Sequence, residues 1–149
     1  MRRLSILLST ILFLFLTFFS AQAQTTASAS QEAMNGFARA VDVADGSVFI
    51  GEPSNVHQSG QVYIYRRGND GWTKHSQLAA SDGTVGDGFG SALTASGTSI
   101  LVGAPDVNDE RGAAYIFEKS GDGSWSQSAR IALSDTSAEG EFGSSVAQD

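Results

Sequence analysis

The chain has 149 residues, no cysteine and a formal charge of −7. The acidic balance excludes a basic nucleic-acid footprint and opposes attraction to anionic lipid surfaces. The absence of cysteine excludes a disulfide scaffold, thiolate catalysis and Cys-ligated zinc, so a hydrophobic core or a partner must hold the fold.

Residues 1–23 read as a secretory signal. Arg2 and Arg3 form a positive n-region, Leu4 to Phe19 is a 16-residue run of mostly Leu, Ile and Phe, and Ala21-Gln22-Ala23 is a small-x-small cleavage site. An uncleaved membrane anchor needs about 18 or more apolar residues, and a lipoprotein anchor needs a cysteine. Cleavage after Ala23 leaves Gln24 as the first residue and lowers the charge by two, to −9. No stable membrane insertion is expected after cleavage. Residues 24–35, rich in Thr, Ser, Ala and Gln, carry no apolar period and are expected to form a flexible linker.

From residue 36 the sequence repeats. Phe37, Phe89 and Phe142 are spaced by 52 and then 53 residues. Phe89-Gly90-Ser91 opens one copy and Gly103-Ala104-Pro105 follows; upstream, Phe37-Ala38 and Gly51-Glu52-Pro53 fit the same frame, and Phe142-Gly143-Ser144 restarts it. Tyr63 meets Tyr115, Trp72 meets Trp125, and Pro53 meets Pro105, so the only two tryptophans and the only two prolines are all repeat positions. A fixed period of this size is the signature of a repeat architecture. The divisions are 36–88 for repeat 1, 89–141 for repeat 2 and 142–149 for the start of a third.

Each full repeat contains four short apolar runs separated by Gly, Asp, Ser and Asn: 37–44, 47–52, 61–66 and 73–80, then 89–95, 99–104, 113–118 and 124–133. Val, Ile, Tyr, Phe and Thr favour strands in the middle runs. The second runs, Val48-Phe49-Ile50 and Ile100-Leu101-Val102, are apolar throughout, as expected of strands covered on both faces. Proline cannot donate to a ladder, so Pro53 and Pro105 should stand where pairing stops. Four strands per repeat with covered inner strands predict an all-β fold, a partial β-propeller of four-stranded antiparallel blades.

Phe89-Gly90 followed by Gly103-Ala104-Pro105 resembles the FG-GAP repeat of integrin α chains and of many bacterial secreted proteins. The resemblance spans residues 36–149. Repeat 1 departs from the motif at Ala38 and Glu52. The resemblance implies blades of four antiparallel strands, often seven in a closed ring, and roles in extracellular ligand binding or adhesion.

The same resemblance raises calcium, because many members carry an Asp-x-Asp-x-Asp-Gly loop between the first two strands. Here that loop is Asp42-Val43-Ala44-Asp45-Gly46 in repeat 1, with two carboxylates, and Thr94-Ala95-Ser96-Gly97-Thr98 in repeat 2, with none. A hard cation wants six to eight oxygens, so the loop reads as a tight turn on Asp45-Gly46. A second oxygen-rich loop, Asp106-Val107-Asn108-Asp109-Glu110, offers weak metal candidates in Asp106, Asn108, Asp109 and Glu110. Acidic residues also recur before Phe-Gly: Asp82 and Asp87, then Asp135, Glu139 and Glu141. No cofactor is expected; calcium is the one these loops could take.

Catalysis needs a base oriented by a third group, and neither His57 nor His75 recurs or stands in such a constellation. The aromatics Tyr63, Tyr65, Trp72, Tyr115, Phe117 and Trp125 could stack on a glycan, but their recurrence favours an inter-repeat core. Residues Asn69-Asp70-Gly71 read as a hairpin turn, and the absence of Asn-x-Ser/Thr leaves no N-glycosylation acceptor. The sequence therefore reads as an exported, non-catalytic binding or adhesion module for an extracellular protein or glycan. The alternatives are an inactive fragment of a longer propeller, or the accessory propeller of an enzyme. Two repeats should expose apolar edges, so self-association or poor folding of the isolated chain is expected.

Overall fold

Runs of β-branched and aromatic residues too short for helices, cut every few residues by Gly, Asp or Asn, can satisfy their backbone groups only by pairing with one another. The structure, a computed structural model, describes residues 36–53, 58–134 and 140–149. The signal segment with Ala21 and Ala23, the linker 24–35, and His57, Asp135 and Glu139 lie outside the described residues. Two four-stranded antiparallel sheets result. Sheet one runs β1 (Val41–Ala44), β2 (Ser47–Glu52), β3 (Gln61–Gly68) and β4 (Gly71–Leu78) in that spatial order. Sheet two runs β5 (Ala92–Ser96), β6 (Ser99–Ala104), β7 (Ala113–Lys119) and β8 (Trp125–Ala132).

The 52-residue period survives in the register. Val41 pairs with Ile50 as Leu93 pairs with Val102, and the third strands break register at equivalent places, Ile64/Tyr65 and Ile116/Phe117. Asp45 and Gly46, both at positive φ (48° and 67°), close the two-residue β1–β2 turn, the geometry a primed hairpin turn requires. Asn69-Asp70 closes the β3–β4 hairpin, as expected. Pro53 and Pro105 each follow the last residue of a strand, β2 and β6.

The first strands begin later than the apolar runs suggest, at Val41 rather than Phe37 and at Ala92 rather than Phe89. Ala38 (φ 62°) and Gly90 (φ 94°) are left-handed. A strand cannot pass through that conformation, so Phe37 and Phe89 sit on turns ahead of their strands.

The core lies between the sheets. Phe49, Val62, Ile64 and Leu78 of sheet one are buried with Ile100, Val102, Tyr115 and Phe117 of sheet two. Phe49 meets Trp125 edge-on at 6.0 Å, and Phe89 meets Tyr115 and Phe117 at 5.6 and 5.9 Å. These are favourable aromatic geometries.

Burial of the second strands corrects the expectation that they are covered on both faces. In β2, Phe49 is buried while Val48 and Ile50 are only half-buried; in β6, Ile100 and Val102 are buried while Leu101 is half-buried. The face toward the other repeat is closed and the opposite face is not. Trp72 is a second correction. Its repeat partner Trp125 packs against the core, but Trp72 is 52% exposed, because no described element covers that side of sheet one.

The third copy docks on sheet two. Phe142 bridges Gly112 in parallel. The Gln148 amide donates to the Thr94 and Ser99 carbonyls at 3.1 and 3.2 Å.

Candidate functional site

The oxygen-rich loop predicted after Gly103-Ala104-Pro105 becomes a single turn, α1 (Val107–Glu110), of the wrong hand. Asn108 (φ 54°, ψ 56°) and Asp109 (φ 58°, ψ 57°) are left-handed, and Glu110 follows at φ 64°. Each such residue costs an L-amino acid about 1–2 kcal/mol, with Asn and Asp the best tolerated side chains. The surroundings hold the turn in place. Val107 is buried as its anchor, and the Gly112 N–H donates to the Val107 carbonyl at 3.0 Å. The Glu110 carbonyl accepts from the N–H groups of Gly140 and Glu141 at 3.1 and 2.8 Å, and the Arg111 carbonyl from that of Phe142 at 3.1 Å. On the other side the Asp106 N–H donates to the Asp87 carbonyl at 3.2 Å. The turn thus ties the approach to repeat 2 to the approach to the third copy.

Beside it opens a cavity of about 870 Å³ between this turn, the β4–β5 loop and β8. Five carboxylates line it, from Asp82, Asp87, Asp106, Asp109 and Glu110, with one guanidinium, from Arg130. Two of the acids are engaged within the protein. Asp87 accepts from the Thr84 N–H and hydroxyl at 2.6 and 2.8 Å, closing the loop on itself. Asp82 pairs with Arg130 at 3.1 Å. Arg130 in turn donates to the Tyr115 hydroxyl at 3.4 Å and lies 5.9 Å from that ring's centre. Burial pushes the Tyr115 hydroxyl up from its ordinary value, and the bond from Arg130 works against the shift.

The sequence candidates Asp106, Asn108, Asp109 and Glu110 therefore do share one site, and Asp82 and Asp87 join them from the preceding loop. They do not converge on a point: among the described residues no three or more His, Asp or Glu side chains gather closely enough to hold a metal ion. The geometry offers a broad acidic rim instead of a cation cage. Arg130 was not singled out from sequence. Its signal was available in the strand register, which sets it directly opposite Tyr115.

The two departures from the repeat motif have different settings. Glu52, where repeat 2 has buried Ala104, accepts the Tyr63 hydroxyl at 2.6 Å. Burial, then the Glu52 bond and charge, push the Tyr63 hydroxyl up to about 12. Ala38 takes the left-handed turn position held by Gly90 in repeat 2.

Phe89 and Gly90 carry the contact between the repeats. A Cβ built on Gly51 would overlap the Gly90 carbonyl oxygen, and one on Gly60 the Phe89 carbonyl oxygen. The Phe-Gly turn of one repeat thus lies directly on the backbone of the previous one. Gly103 and Gly112 receive Phe142-Gly143 in the same way.

A comparison with curated proteins finds no match. Residues 72–117 match the family model described as FG-GAP repeat, a span from β4 into β7 that contains both Phe89-Gly90 and Gly103-Ala104-Pro105. Residues 72–117 are thus an FG-GAP repeat, and the sheet period and the paired glycine contacts extend the same pattern to either side of it.

Proposed function

We propose that this chain is an exported, non-catalytic binding module whose two sheets are adjoining blades of a β-propeller, with the start of a third. Its loops form the contact surface for an extracellular protein or glycan, in the manner of an adhesion module. The observation that carries this reading is the left-handed turn Asn108–Glu110 held at the rim of an acidic cavity. Such strain persists where the surroundings over-determine it, and it clusters at ligand-contacting segments. The sheets supply the rigid scaffold on which binding loops are commonly mounted. The acidic rim favours ligands that present positive charge.

The test is binding of residues 24–149 to arrays of glycans and purified extracellular proteins, repeated with Asp109→Ala/Glu110→Ala. A specific ligand whose affinity falls at least tenfold in the double variant, with an unchanged melt, supports the reading. Absence of any ligand, or binding indifferent to the double variant, counts against it. N-terminal sequencing of exported material should start at Gln24.

A further inference from the structure

Ala38 has a consequence for which surfaces of this chain can join. The two repeat junctions share one plug-and-socket contact. The plug is a Phe-Gly turn, Phe89-Gly90 or Phe142-Gly143, with its glycine at φ 94° or 91°. The socket is backbone: Gly51, Gly60 and the Gln61 carbonyl for the first junction, Gly103, Gly112 and the Ala113 carbonyl for the second. The fit leaves no space for a side chain on the plug. A Cβ on Gly90 would stand 2.9 Å from the Gln61 carbonyl oxygen and 3.3 Å from the Gly51 Cα. A Cβ on Gly143 would overlap the Ala113 carbonyl oxygen. In both cases the obstacle is strand backbone, which cannot swing aside as a flexible side chain could.

The leading edge of sheet one otherwise looks ready to dock. Phe37, Val41 and Val43 are 47, 54 and 64% exposed, whereas Phe89 and Leu93, the repeat partners of the first two, are 0 and 9%. On the opposite side of the molecule, Ile131 is 43% exposed where its repeat partner Leu78 is 4%. The two faces continue the interface already formed between the sheets, so a second copy could in principle add head to tail. At the plug position, however, repeat 1 carries Ala38 with φ 62° and a Cβ.

We infer that Ala38 is a stop: its methyl group bars the leading edge of repeat 1 from the socket of a second copy, so that copies cannot add head to tail. Among the described residues the array extends from repeat 2, where Phe142-Gly143 fills the socket. This concerns assembly and is independent of the ligand-binding reading above.

The experiment is light scattering on residues 24–149 in four forms, each checked for a β-type circular dichroism spectrum. Gly143→Ala expels the chain's own plug and empties the socket, yet this variant stays monomeric because every available plug carries Ala38. Ala38→Gly/Gly143→Ala frees both partners and gives head-to-tail dimers or larger oligomers at the same concentration. Adding Gly103→Ala, whose three nearest atoms all belong to Gly143, closes the socket and returns the mass to monomer. Ala38→Gly alone remains monomeric, since the socket is filled from within. An oligomeric Gly143→Ala variant, a monomeric double variant or an oligomeric triple variant overturns the inference.

Discussion

Phe37 and Phe89 hold the same motif position in different surroundings, so truncating each to alanine separates the residue from its environment. Phe89 is fully buried and lies edge-on to two aromatic rings. Phe→Ala at such a site costs about 3–5 kcal/mol in lost transfer energy and cavity. Phe37 is about half exposed, with one tilted ring contact to Tyr63 at 5.9 Å. Half of a full burial term leaves it roughly 0.8–1.5 kcal/mol. Domains of this kind are stable by about 5–15 kcal/mol, so Phe89→Ala removes a large share and Phe37→Ala a small one. With about 2–8 °C lost per kcal/mol, Phe89→Ala should lower Tm by roughly 6–40 °C and Phe37→Ala by roughly 2–12 °C, a ratio of about three whatever the conversion. Circular dichroism melts and urea titrations at matched concentration measure both. Equal losses would refute the reasoning, since they would mean that the leading edge of repeat 1 is as well covered as the junction between the sheets.

Gly51→Ala should destabilise by about 2 kcal/mol or more through overpacking, because its Cβ would overlap the Gly90 carbonyl oxygen. Gly68→Ala, whose nearest obstacle is 3.8 Å away, should be neutral or slightly stabilising, and paired urea titrations separate the two. Stability should also fall in strong alkali. The Tyr63 hydroxyl is raised to about 12 from an ordinary value near 10. A raised folded-state value means that its contribution is complete below pH 10 and is lost as pH rises through 12. Tyrosinate absorbance at 295 nm should therefore show Tyr63 ionising well above an exposed tyrosine; Glu52→Gln should lower that midpoint only in part, because burial is the larger cause. A single ordinary midpoint for all tyrosines would contradict the Tyr63–Glu52 contact.

Eight strands, their order within each repeat and the positions of the prolines were legible in sequence because each depends on local chemistry. Alternation, β-branching and turn residues act over a few positions, and the period printed them twice, so Trp, Pro and Tyr in register confirmed each other. The acidic loop at Asp106–Glu110 was legible as composition for the same reason. Its left-handed path was not, since three consecutive non-glycine residues at positive φ go against local preference and stand only because Val107, Asp87 and the 140–142 backbone hold them. The strand starts at Val41 and Ala92 were likewise hidden behind a turn conformation that an apolar run does not announce. Exposed apolar edges were expected of two repeats, but which residues form them was not legible in sequence. Phe37 and Phe89, Trp72 and Trp125, Leu78 and Ile131 are repeat partners, yet one of each pair packs inside and the other faces outward. Sequence by itself determined the repeating unit and its strands; the tertiary structure decided which copies of each residue are buried, because burial belongs to the contact between neighbouring repeats and, among the described residues, each repeat has a folded sheet on only one side.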